Sequence, residues 1–429
     1  MTKVMKYELT YLDGCGEFSE MQKTMWGIQN DVRTVLNRTV QMWSNWDYES
    51  RKHFEATGEY LDCYKETGQK QFRGYVYDQL KDKYDSMGSR VLVSSINKAD
   101  KKYKASKKEV LSGKMSLPSY KRDQPIPIPK VAVKLAYDEG KPTVTLSVIK
   151  QKYKKEMGWD GNLRFQVKLG DGTQKTIFNR TLMGEYGLGE CQLVYDRPKW
   201  FLMLTYSFEA EKKDLDADKT LGVDLGQAYA LYASSVGDRG VLKIEGGEVE
   251  AYAKRKEARI RSFQNQAKHC GEGRVGHGTL TRVEPIFQNR NKVSNFRDTI
   301  NNLYSRELVD YAVKNQYGVI QMEYLSGIKE DTGYPRRLRH WTYYDLQMKI
   351  EQKCKEVGIQ FIKIDPKYTS RRCSRCGNID ANNRPDQATF CCTECGFKAN
   401  ADYNASQNIS IRGIDRIIEA TIGANRKQA

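Results

Sequence analysis

Residues 391–409, CCTECGFKANADYNASQNI, contain a Cys-x2-Cys pair that ends at Cys395. An aspartate, Asp402, follows seven residues later. A second Cys-x2-Cys pair lies upstream, and fifteen residues separate the two pairs. This spacing is typical of a zinc site in which two tight turns each present two thiolates tetrahedrally. Cysteines clustered by coincidence are the weaker alternative. The predicted zinc ligands are Cys373, Cys376, Cys392 and Cys395.

Cys391 directly precedes one predicted ligand, so the choice between it and Cys392 needs a reason. Cys391 would leave a three-residue gap to Cys395, whereas Cys392 leaves the usual two. A glycine follows each pair, at Gly377 and Gly396, where it relieves the turn. We expect Cys392 to bind the metal and Cys391 to face away from it or to lie behind it.

Three acidic residues stand out by their positions in the predicted secondary structure. Asp224 ends or interrupts the strand LGVDLG, Glu323 follows the buried strand GVIQM, and Asp402 begins the helical stretch ADYNASQNISI. Acids at the ends of adjacent central strands can converge, and converging carboxylates repel one another unless divalent metal neutralises them. Two Mg²⁺ ions there would allow phosphodiester hydrolysis. The alternative is ordinary surface acids, since the chain has 54 Asp and Glu.

The net charge of +17, from 71 Lys and Arg, indicates a polyanionic partner. Nucleic acid is the first candidate and a membrane surface the second. Residues 253–269, AKRKEARIRSFQNQAKH, place six basic residues against one Glu on a predicted helix. We expect this helix to contact a nucleic-acid backbone.

The N-terminal sequence MTKVMKYELTYLDG has no apolar core after its lysines, and no apolar run is long enough to span a bilayer. We therefore expect a cytoplasmic protein whose thiols stay reduced. Crowding of five of the ten cysteines between 373 and 395 then points to metal rather than disulfides.

Residues 18–110 are predicted to be helical. Apolar residues recur there at steps of three and four, with one polar member. This seam consists of Met25, Ile28, Val32, Val35, Thr39, Met42 and Trp46. It is either the core of its own domain or a subunit interface, and the pattern alone leaves both open. A second helix is predicted from about 71 to 110.

The helical pattern ends at the proline-rich stretch PSYKRDQPIPIPK, residues 118–130, because proline cannot continue a helix. Three hairpins are predicted after it, at 131–149, 163–178 and 191–208, and they favour an antiparallel barrel or sandwich. Residues 209–219, EAEKKDLDADK, are predicted to be a charged linker. From 220 onward strands and helices mix, so the fold class is multidomain α+β.

The motifs GVDLG, QMEYLSGI and a cysteine ribbon running into NADYNASQNI resemble the three split RuvC motifs of type V CRISPR nucleases and their TnpB relatives. The chain length and the stretches LPSYKRD, NFRDT, HWTYYDLQMKI and IDPKYTSRRCSRCGNID are most similar to the miniature type V-F effectors. The resemblance spans almost the whole chain, with the motifs in the family's order.

This resemblance implies that Asp224, Glu323 and Asp402 are the catalytic residues of a RuvC domain with an RNase H-like fold, and that they bind two Mg²⁺ ions. It also implies that Arg384, in NNRPDQ, assists at the scissile phosphate, although a simple phosphate contact is the alternative for this arginine. The zinc would be structural, within an insertion that binds target nucleic acid.

The resemblance further implies a domain layout and a set of partners. The domains are a first part of a wedge-like β-barrel (1–17), a helical recognition domain (18–118), the rest of the barrel (119–210), a linker (211–219), RuvC (220–370), the zinc ribbon (371–396) and the last part of RuvC (397–429). The implied partners are a guide RNA (crRNA with tracrRNA, or a fused single guide), target double-stranded and single-stranded DNA, and a second copy on the same guide.

The function implied is RNA-guided DNA endonuclease in a prokaryotic cytoplasm, with recognition of a short motif beside the target and antiviral defence as its role. A TnpB-type nuclease guided by a transposon RNA is the close alternative. A guide-dependent regulator without cleavage is opposed by the three acids. A helical zinc transcription factor would leave the acids at strand ends unexplained.

Overall fold

The computed structural model describes residues 1–170, 172–196, 199–226, 229–270, 278–288, 291–324 and 343–428. The stretch LSGI at 325–328, part of the motif used above, lies outside these residues, as do 340–342. The chain divides into two compact units, Met1–Glu209 and Ala210–Ala429. In the part of the chain that the structure describes, no helix has both the length and the apolar character needed to cross a membrane.

The first unit combines helices with an antiparallel sheet. Its helices are α1 (Phe18–Thr57), α2 (Cys63–Thr67), α3 (Phe72–Leu80), α4 (Ser89–Leu111), α5 (Gln151–Glu156) and α6 (Gly172–Leu182). Its strands are β1 (Thr2–Asp13), β2 (Ile126–Ile128), β3 (Val133–Asp138), β4 (Lys141–Leu146), β5 (Leu163–Lys168), β6 (Gly187–Leu188), β7 (Cys191–Asp196) and β8 (Lys199–Ser207). The predicted hairpins β3–β4 and β7–β8 are confirmed.

The strand order of this sheet is β2-β7-β8-β1-β5-β4-β3, with β6 beside β8. The antiparallel pairing agrees with the sequence prediction, but closure into a barrel does not, because among the described residues β2 and β3 are the two ends of an open path. The N-terminal strand β1 lies in the middle, between β8 and β5.

The hairpin predicted at 163–178 is wrong in its second half. β5 is followed by helix α6 rather than by a returning strand. Ile177, Phe178 and Thr181 are its buried side chains, a spacing that suits one face of a helix. The apolar residues of KTIF were too few to distinguish the two periods.

The continuous helix predicted over 71–110 is also wrong, because the structure breaks it between α3 and α4. Gly88 lies at the break, where its N–H donates to the Val148 carbonyl oxygen at 2.8 Å. A Cβ at this position would lie 2.9 Å from the same oxygen, so only glycine allows this approach.

The seam on α1 belongs to the core of its own unit. Met25, Ile28, Val32 and Val35 are fully buried within the chain and pack into one apolar cluster with the sheet and with α4. The interpretation as a subunit interface is therefore wrong for the buried part of the seam, from Met25 to Thr39, while Met42 and Trp46 at its end are partly buried against the same cluster.

The second unit carries a mixed sheet, a small hairpin and further helices. Its strands are β9 (Asp216–Asp224), β10 (Tyr229–Ser234), β11 (Val241–Glu245), β12 (Tyr317–Glu323), β13 (Gln360–Ile364), β14 (Thr389–Cys391) and β15 (Lys398–Asn400). Its helices are α7 (Glu248–Lys268), α8 (Thr279–Gln288), α9 (Lys292–Lys314), α10 (Tyr343–Val357), α11 (Ala401–Ile409) and α12 (Ile414–Gln428).

The main sheet of this unit has the order β11-β10-β9-β12-β13. The strands β9, β12 and β13 are parallel, while β10 is antiparallel to both of its neighbours. Leu221 and Val223 of β9 belong to the apolar core formed with α9 and α10. The buried strand GVIQM and the helix closed by Gly358, whose φ is 86°, are both confirmed.

The charged linker is shorter than predicted, because β9 begins at Asp216. Residues 216–219 are exposed, yet Asp216 pairs with Tyr317 of β12. Backbone pairing on a parallel neighbour does not require apolar side chains, and polarity alone therefore gave the wrong boundary.

Candidate metal centres

The carboxylates of Asp224 and Glu323 end two adjacent parallel strands. Val223 of β9 is paired with Met322 of β12, so the two acids that follow lie side by side. Alternate residues of a strand share a face. Val223 and Met322 point into the α9–α10 core, and the acids after them consequently point to the opposite face of the sheet.

Helix α11, which carries Asp402, packs closely on that opposite face. A Cβ at Gly222 of β9 would lie 2.1 Å from the Ser406 carbonyl oxygen, so a glycine is required for this contact. Polar side chains fix the helix laterally. The hydroxyls of Ser406 and Ser234 are 2.6 Å apart, and Gln407 Nε2 donates to Ser234 Oγ at 2.9 Å.

Asp402 occupies the first turn of α11 and faces the end of β9. Asn400 caps the helix, with its Oδ1 accepting from the backbone N–H groups of Asp402 and Tyr403 at 2.9 and 3.1 Å. A Cβ at Gly226, two residues after Asp224, would lie 3.6 Å from Asp402 Oδ2. The structure thus places all three predicted acids at one end of the sheet.

The electrostatics of the three acids reflect their closeness. Burial raises the pKa of Asp224 well above its ordinary value, and the neighbouring charges of Glu323 and Asp402 raise it further. Burial also raises the pKa values of Glu323 and Asp402. This cluster concentrates negative charge that a cation would relieve.

Arg384, from the loop between the cysteine pairs, acts electrostatically on this cluster. Its positive charge lowers the pKa of Asp224, Glu323 and Asp402 alike, against the larger effect of burial. Its Nη2 donates to the Gln387 carbonyl oxygen at 2.9 Å, which holds the side chain across its own loop. The Arg384 guanidinium therefore lies near enough to all three acids for its charge to act on each of them.

The sulfur atoms of Cys373, Cys376, Cys392 and Cys395 all lie within 4.8 Å of one another. The Sγ atoms of Cys373 and Cys395 are 3.7 Å apart, and those of Cys376 and Cys392 are 3.6 Å apart. Cys391 ends strand β14 and is not part of the cluster.

Two matching turns build this sulfur cluster. The N–H of Gly377 donates to the Cys373 carbonyl oxygen at 2.9 Å, and that of Gly396 donates to the Cys392 carbonyl oxygen at 3.1 Å. Both glycines have positive φ, 83° and 68°. Only glycine adopts this backbone at low cost, which explains the residue after each second cysteine.

The thiols differ in how readily they lose a proton. Local desolvation of the sulfur and hydrogen bonds with the neighbouring thiols raise the pKa of Cys376 to about 12, although the residue itself is exposed. Burial would also raise the pKa of Cys392, but hydrogen bonds from the backbone of Cys395 and Glu394 and from neighbouring thiols lower it to about 7. The cluster thus already favours one thiolate.

The two sets of donor atoms suit different cations. Four thiol sulfurs within bonding reach of one point fit a soft or borderline ion such as Zn²⁺. Three carboxylates fit a hard cation such as Mg²⁺, which prefers oxygen ligands, and burial together with the two neighbouring charges raises the pKa of Asp224 among them.

Two buried asparagines of α11 join the carboxylate site to the start of the ribbon. Asn404 Nδ2 donates to the Arg372 carbonyl oxygen at 2.8 Å, and its Oδ1 accepts from the Ser374 N–H at 2.9 Å. Asn408 Nδ2 donates to the carbonyl oxygens of Thr369 and Arg372 at 3.0 and 2.6 Å. One helix consequently holds both Asp402 and the chain that enters the cysteine cluster.

The basic stretch 253–269 forms most of helix α7, as predicted. Lys254 is exposed and bridges to Glu250 at 2.8 Å, an i,i+4 pair. Val249, Ala253 and Ala267 are the buried residues of this helix, so most of its basic side chains face away from the core.

Sequence reasoning missed the residues that hold the acids in place. These are Gly222, Thr369, Asn404 and Asn408. The signal that could have found the asparagines is their i,i+4 spacing, which places both amides on one face of the helix.

Known proteins match this chain both in the region that contains the cysteine cluster and Asp402 and over nearly its whole length. The family model described as Cas12f1-like, TNB domain, matches residues 343–409. A CRISPR-associated endodeoxyribonuclease Cas12f1 of Sulfoacidibacillus thermotolerans is 41% identical over 426 residues, covering 98% of this chain and 100% of that protein. A Cas12f1 of Syntrophomonas palmitatica is 36% identical over 383 residues, 80% of this chain and 76% of its own length.

A solved structure shares the fold. The chain superimposes on a protein chain from a cryo-EM structure of a Cas12f1–sgRNA–target DNA complex with a TM-score of 0.70. The match covers 92% of this chain and 83% of that one, at 19% identity.

Proposed function

The chain belongs to the Cas12f1 family of CRISPR-associated endodeoxyribonucleases, and from that premise we propose that Asp224, Glu323 and Asp402 form its DNA-cutting site. The observation that carries the proposal is the convergence of three acids from distant parts of the chain at one sheet end. There burial, and after it the charges of Glu323 and Asp402, raise the pKa of Asp224.

The protein is a CRISPR RNA-guided DNA endonuclease, with guide RNA and target DNA as partners. In this class, base pairing by the guide selects the sequence, and the protein contacts backbones and a short motif beside the target. The TnpB-type alternative is the less well supported one, because the relative matched over its full length is a Cas12f1.

We assign the second unit to an RNase H-like RuvC nuclease. The strand order β11-β10-β9-β12-β13, with β10 antiparallel and an acid at the end of β9 and of β12, supports this assignment. The proposed layout keeps the boundaries expected from the sequence, with the barrel now an open sheet and the linker ending before Asp216.

The proposed cofactor of the carboxylate site is Mg²⁺. When bound, paired Mg²⁺ ions supply an activated water and neutralise charge on the departing oxygen. Asp224 and Glu323 would hold the cation from the strand ends and Asp402 from the first turn of α11. Arg384, whose charge reaches all three acids, would face the phosphate of the strand being cut.

The proposed cofactor of the sulfur cluster is a structural Zn²⁺ held by Cys373, Cys376, Cys392 and Cys395. Its part is to fold residues 371–396, which carry Arg384 next to the acids. The contacts from Asn404 and Asn408 to residues 369–374 support a role for this insertion in positioning substrate over the carboxylates.

The test is a reconstitution with guide RNA and matched linear DNA. We expect cleavage with Mg²⁺, none with EDTA, and binding with little cleavage in Ca²⁺, whose looser coordination positions water poorly. The single variants Glu323→Gln and Asp402→Asn should bind target DNA within a few-fold of the parent but fail to cut it. Cutting by both variants at the parental rate would show that the site lies elsewhere.

We also propose two protein copies on one guide RNA, an assembly suggested by the resemblance of the chain to miniature effectors. The part of the α1 seam from Met25 to Thr39 is excluded as the contact, because it is buried in its own unit. Light scattering of the purified complex should give the mass of two chains and one guide. A mass of one chain and one guide would contradict this proposal.

A further inference from the structure

Thr369 is a buried threonine in the segment that leads from β13 to the cysteine cluster. Its side chain is 1% exposed. Its Oγ1 hydroxyl donates to Oε1 of Glu323 in a short hydrogen bond, and it also lies 2.9 Å from the Pro366 carbonyl oxygen. A hydroxyl has one proton, and an ionised carboxylate is a stronger acceptor than a carbonyl. When Glu323 is ionised, the Thr369 hydroxyl therefore donates its hydrogen bond to the Glu323 carboxylate rather than to the Pro366 carbonyl oxygen.

The backbone of Thr369 is fixed as firmly as its side chain. Its carbonyl oxygen accepts from Asn408 Nδ2 at 3.0 Å, and Asn408 lies on the helix that carries Asp402. The backbone of Glu323 is fixed as well, since Gln347 Nε2 of α10 donates to the Glu323 carbonyl oxygen at 2.7 Å. The carboxylate of Glu323 is thus held at its main chain by α10 and at its tip by Thr369.

We propose that Thr369 is a positioning residue that orients the Glu323 carboxylate for metal binding. This inference rests on the proposed function, in which Glu323 is a metal ligand. A carboxylate held through one oxygen loses rotational freedom and presents the other oxygen in a fixed direction. Partners of this kind around a metal ligand typically change metal affinity by about 10–100-fold when removed.

The first readout is the metal dependence of cleavage. Thr369→Val keeps the size and branching of the side chain but removes the hydroxyl. We expect the Mg²⁺ concentration for half-maximal cleavage to rise about tenfold or more, with a smaller change in the rate at saturating Mg²⁺. Thr369→Ser, which keeps the hydroxyl, should restore the parental metal dependence. Thr220→Val is the matched control, because Thr220 is buried on β9 and its hydroxyl accepts from Arg412 instead.

The second readout is metal binding without turnover. Free Mn²⁺ is measured by electron paramagnetic resonance in the protein–guide complex, with the Glu323→Gln complex as the background for ions held by RNA. The Thr369→Val complex should bind the site-specific Mn²⁺ about tenfold more weakly, while zinc content and guide binding stay parental. If Thr369→Val folds poorly, Thr369→Ser and Thr369→Ala carry the test, since that pair differs only in the hydroxyl.

Equal Mn²⁺ affinity with and without the hydroxyl, in either pair, would overturn the inference. The proposed function fails in a different way, namely if Glu323→Gln itself cuts DNA at the parental rate. A dead Glu323→Gln together with a Thr369→Val of parental metal dependence would leave the nuclease site standing and remove only the role of Thr369.

Discussion

The two candidate metal centres of the second unit are assembled in opposite ways. The sulfur cluster comes from residues 373–395 and is built by two local turns, each closed by a glycine with positive φ. The carboxylate cluster comes from residues 224, 323 and 402, and it exists only because two strands pair and α11 packs against them. One centre depends on local backbone geometry and the other on tertiary structure.

The two clusters also differ in how their side chains are protonated when no cation is bound. Hydrogen bonds in the sulfur cluster already favour the thiolate of Cys392, whose pKa is lowered to about 7. In the carboxylate cluster, burial and like charges raise the pKa of Asp224. Local turns therefore favour the charged form of one ligand, whereas burial and like charges in the packed site favour a bound proton or cation over the free carboxylate. Four experiments address this contrast.

The largest expected effect comes from removing one carboxylate. Asp224→Asn should lower the cleavage rate by about a thousandfold or more, equivalent to about 4 kcal/mol, because it takes an anionic ligand from the site. Zinc content and target-DNA affinity should stay parental, since neither depends on this side chain. Asp218→Asn, an exposed acid on the same strand, is the control. Loss of zinc in Asp224→Asn would show that the two centres are not separable.

The next effect should come from disturbing packing without touching any ligand. Gly222→Ala introduces a Cβ 2.1 Å from the Ser406 carbonyl oxygen, which must push α11 and Asp402 away from β9. A displacement of about 1 Å can lower a rate by about a hundredfold. Zinc stoichiometry should be unchanged if the sulfur cluster is locally determined.

Gly27→Ala serves as the glycine-to-alanine control, because a Cβ there meets nothing within 4 Å. It should leave cleavage unaltered. The contrast between the two centres would be broken by a Gly222→Ala protein that loses zinc together with activity.

A smaller effect on cleavage is expected when the sulfur cluster is disrupted. Cys392→Ser should lose one zinc per chain and lower cleavage about tenfold, the lower end of what supporting groups contribute at metal sites. The reason is that the loop carrying Arg384 loosens. Cys391→Ser is the matched neighbour outside the cluster and should keep its zinc. Equal zinc content in the two variants, measured by atomic absorption, would mean that the ligand assignment is wrong.

The smallest effect should come from pH. Because burial raises the pKa of Asp224, Glu323 and Asp402, more protons compete with the cation as pH falls. Cleavage at limiting Mg²⁺ should therefore fall as the pH is lowered, by less than about tenfold for each pH unit if one proton is involved. Bound zinc should stay constant while cleavage falls, because a bound cation keeps its thiolates deprotonated. Zinc release that precedes the fall in cleavage would reverse the order of sensitivity assigned to the two centres.

The sulfur cluster was predictable from the sequence because its geometry is local. The spacing distinguished Cys392 from Cys391, and the structure groups the same four cysteines. The three acids were predictable only as acids at element ends, and the resemblance then brought them together. Their mutual placement depends on Gly222, whose role is visible only once α11 is known to lie against β9.

Other parts of the fold could not be predicted because short segments carry ambiguous periodicity. KTIF suits a strand or a helix by its letters, and the contacts of Ile177 and Phe178 with the core decide for the helix. The pattern of the α1 seam is compatible with a domain core and with a subunit interface. Only the packing of α1 in the structure shows that Ile28 and Val35 are buried in the apolar core of the first unit.

The contacts of α11 with both flanks of the ribbon bear on how this protein can be re-engineered. Asn408 holds residues 369 and 372 at the entrance, and the same helix begins at Ala401, directly after the exit strand β15. The ends of the insertion are thus already tied together by the host domain, and lengthening a loop whose ends are fixed costs little closure entropy, about 0.6 kcal/mol per doubling. We therefore expect residues 373–399 to tolerate changes in length between these anchor points as long as the packing of Phe390 and Cys392 against Ala401, the residue before Asp402, is kept.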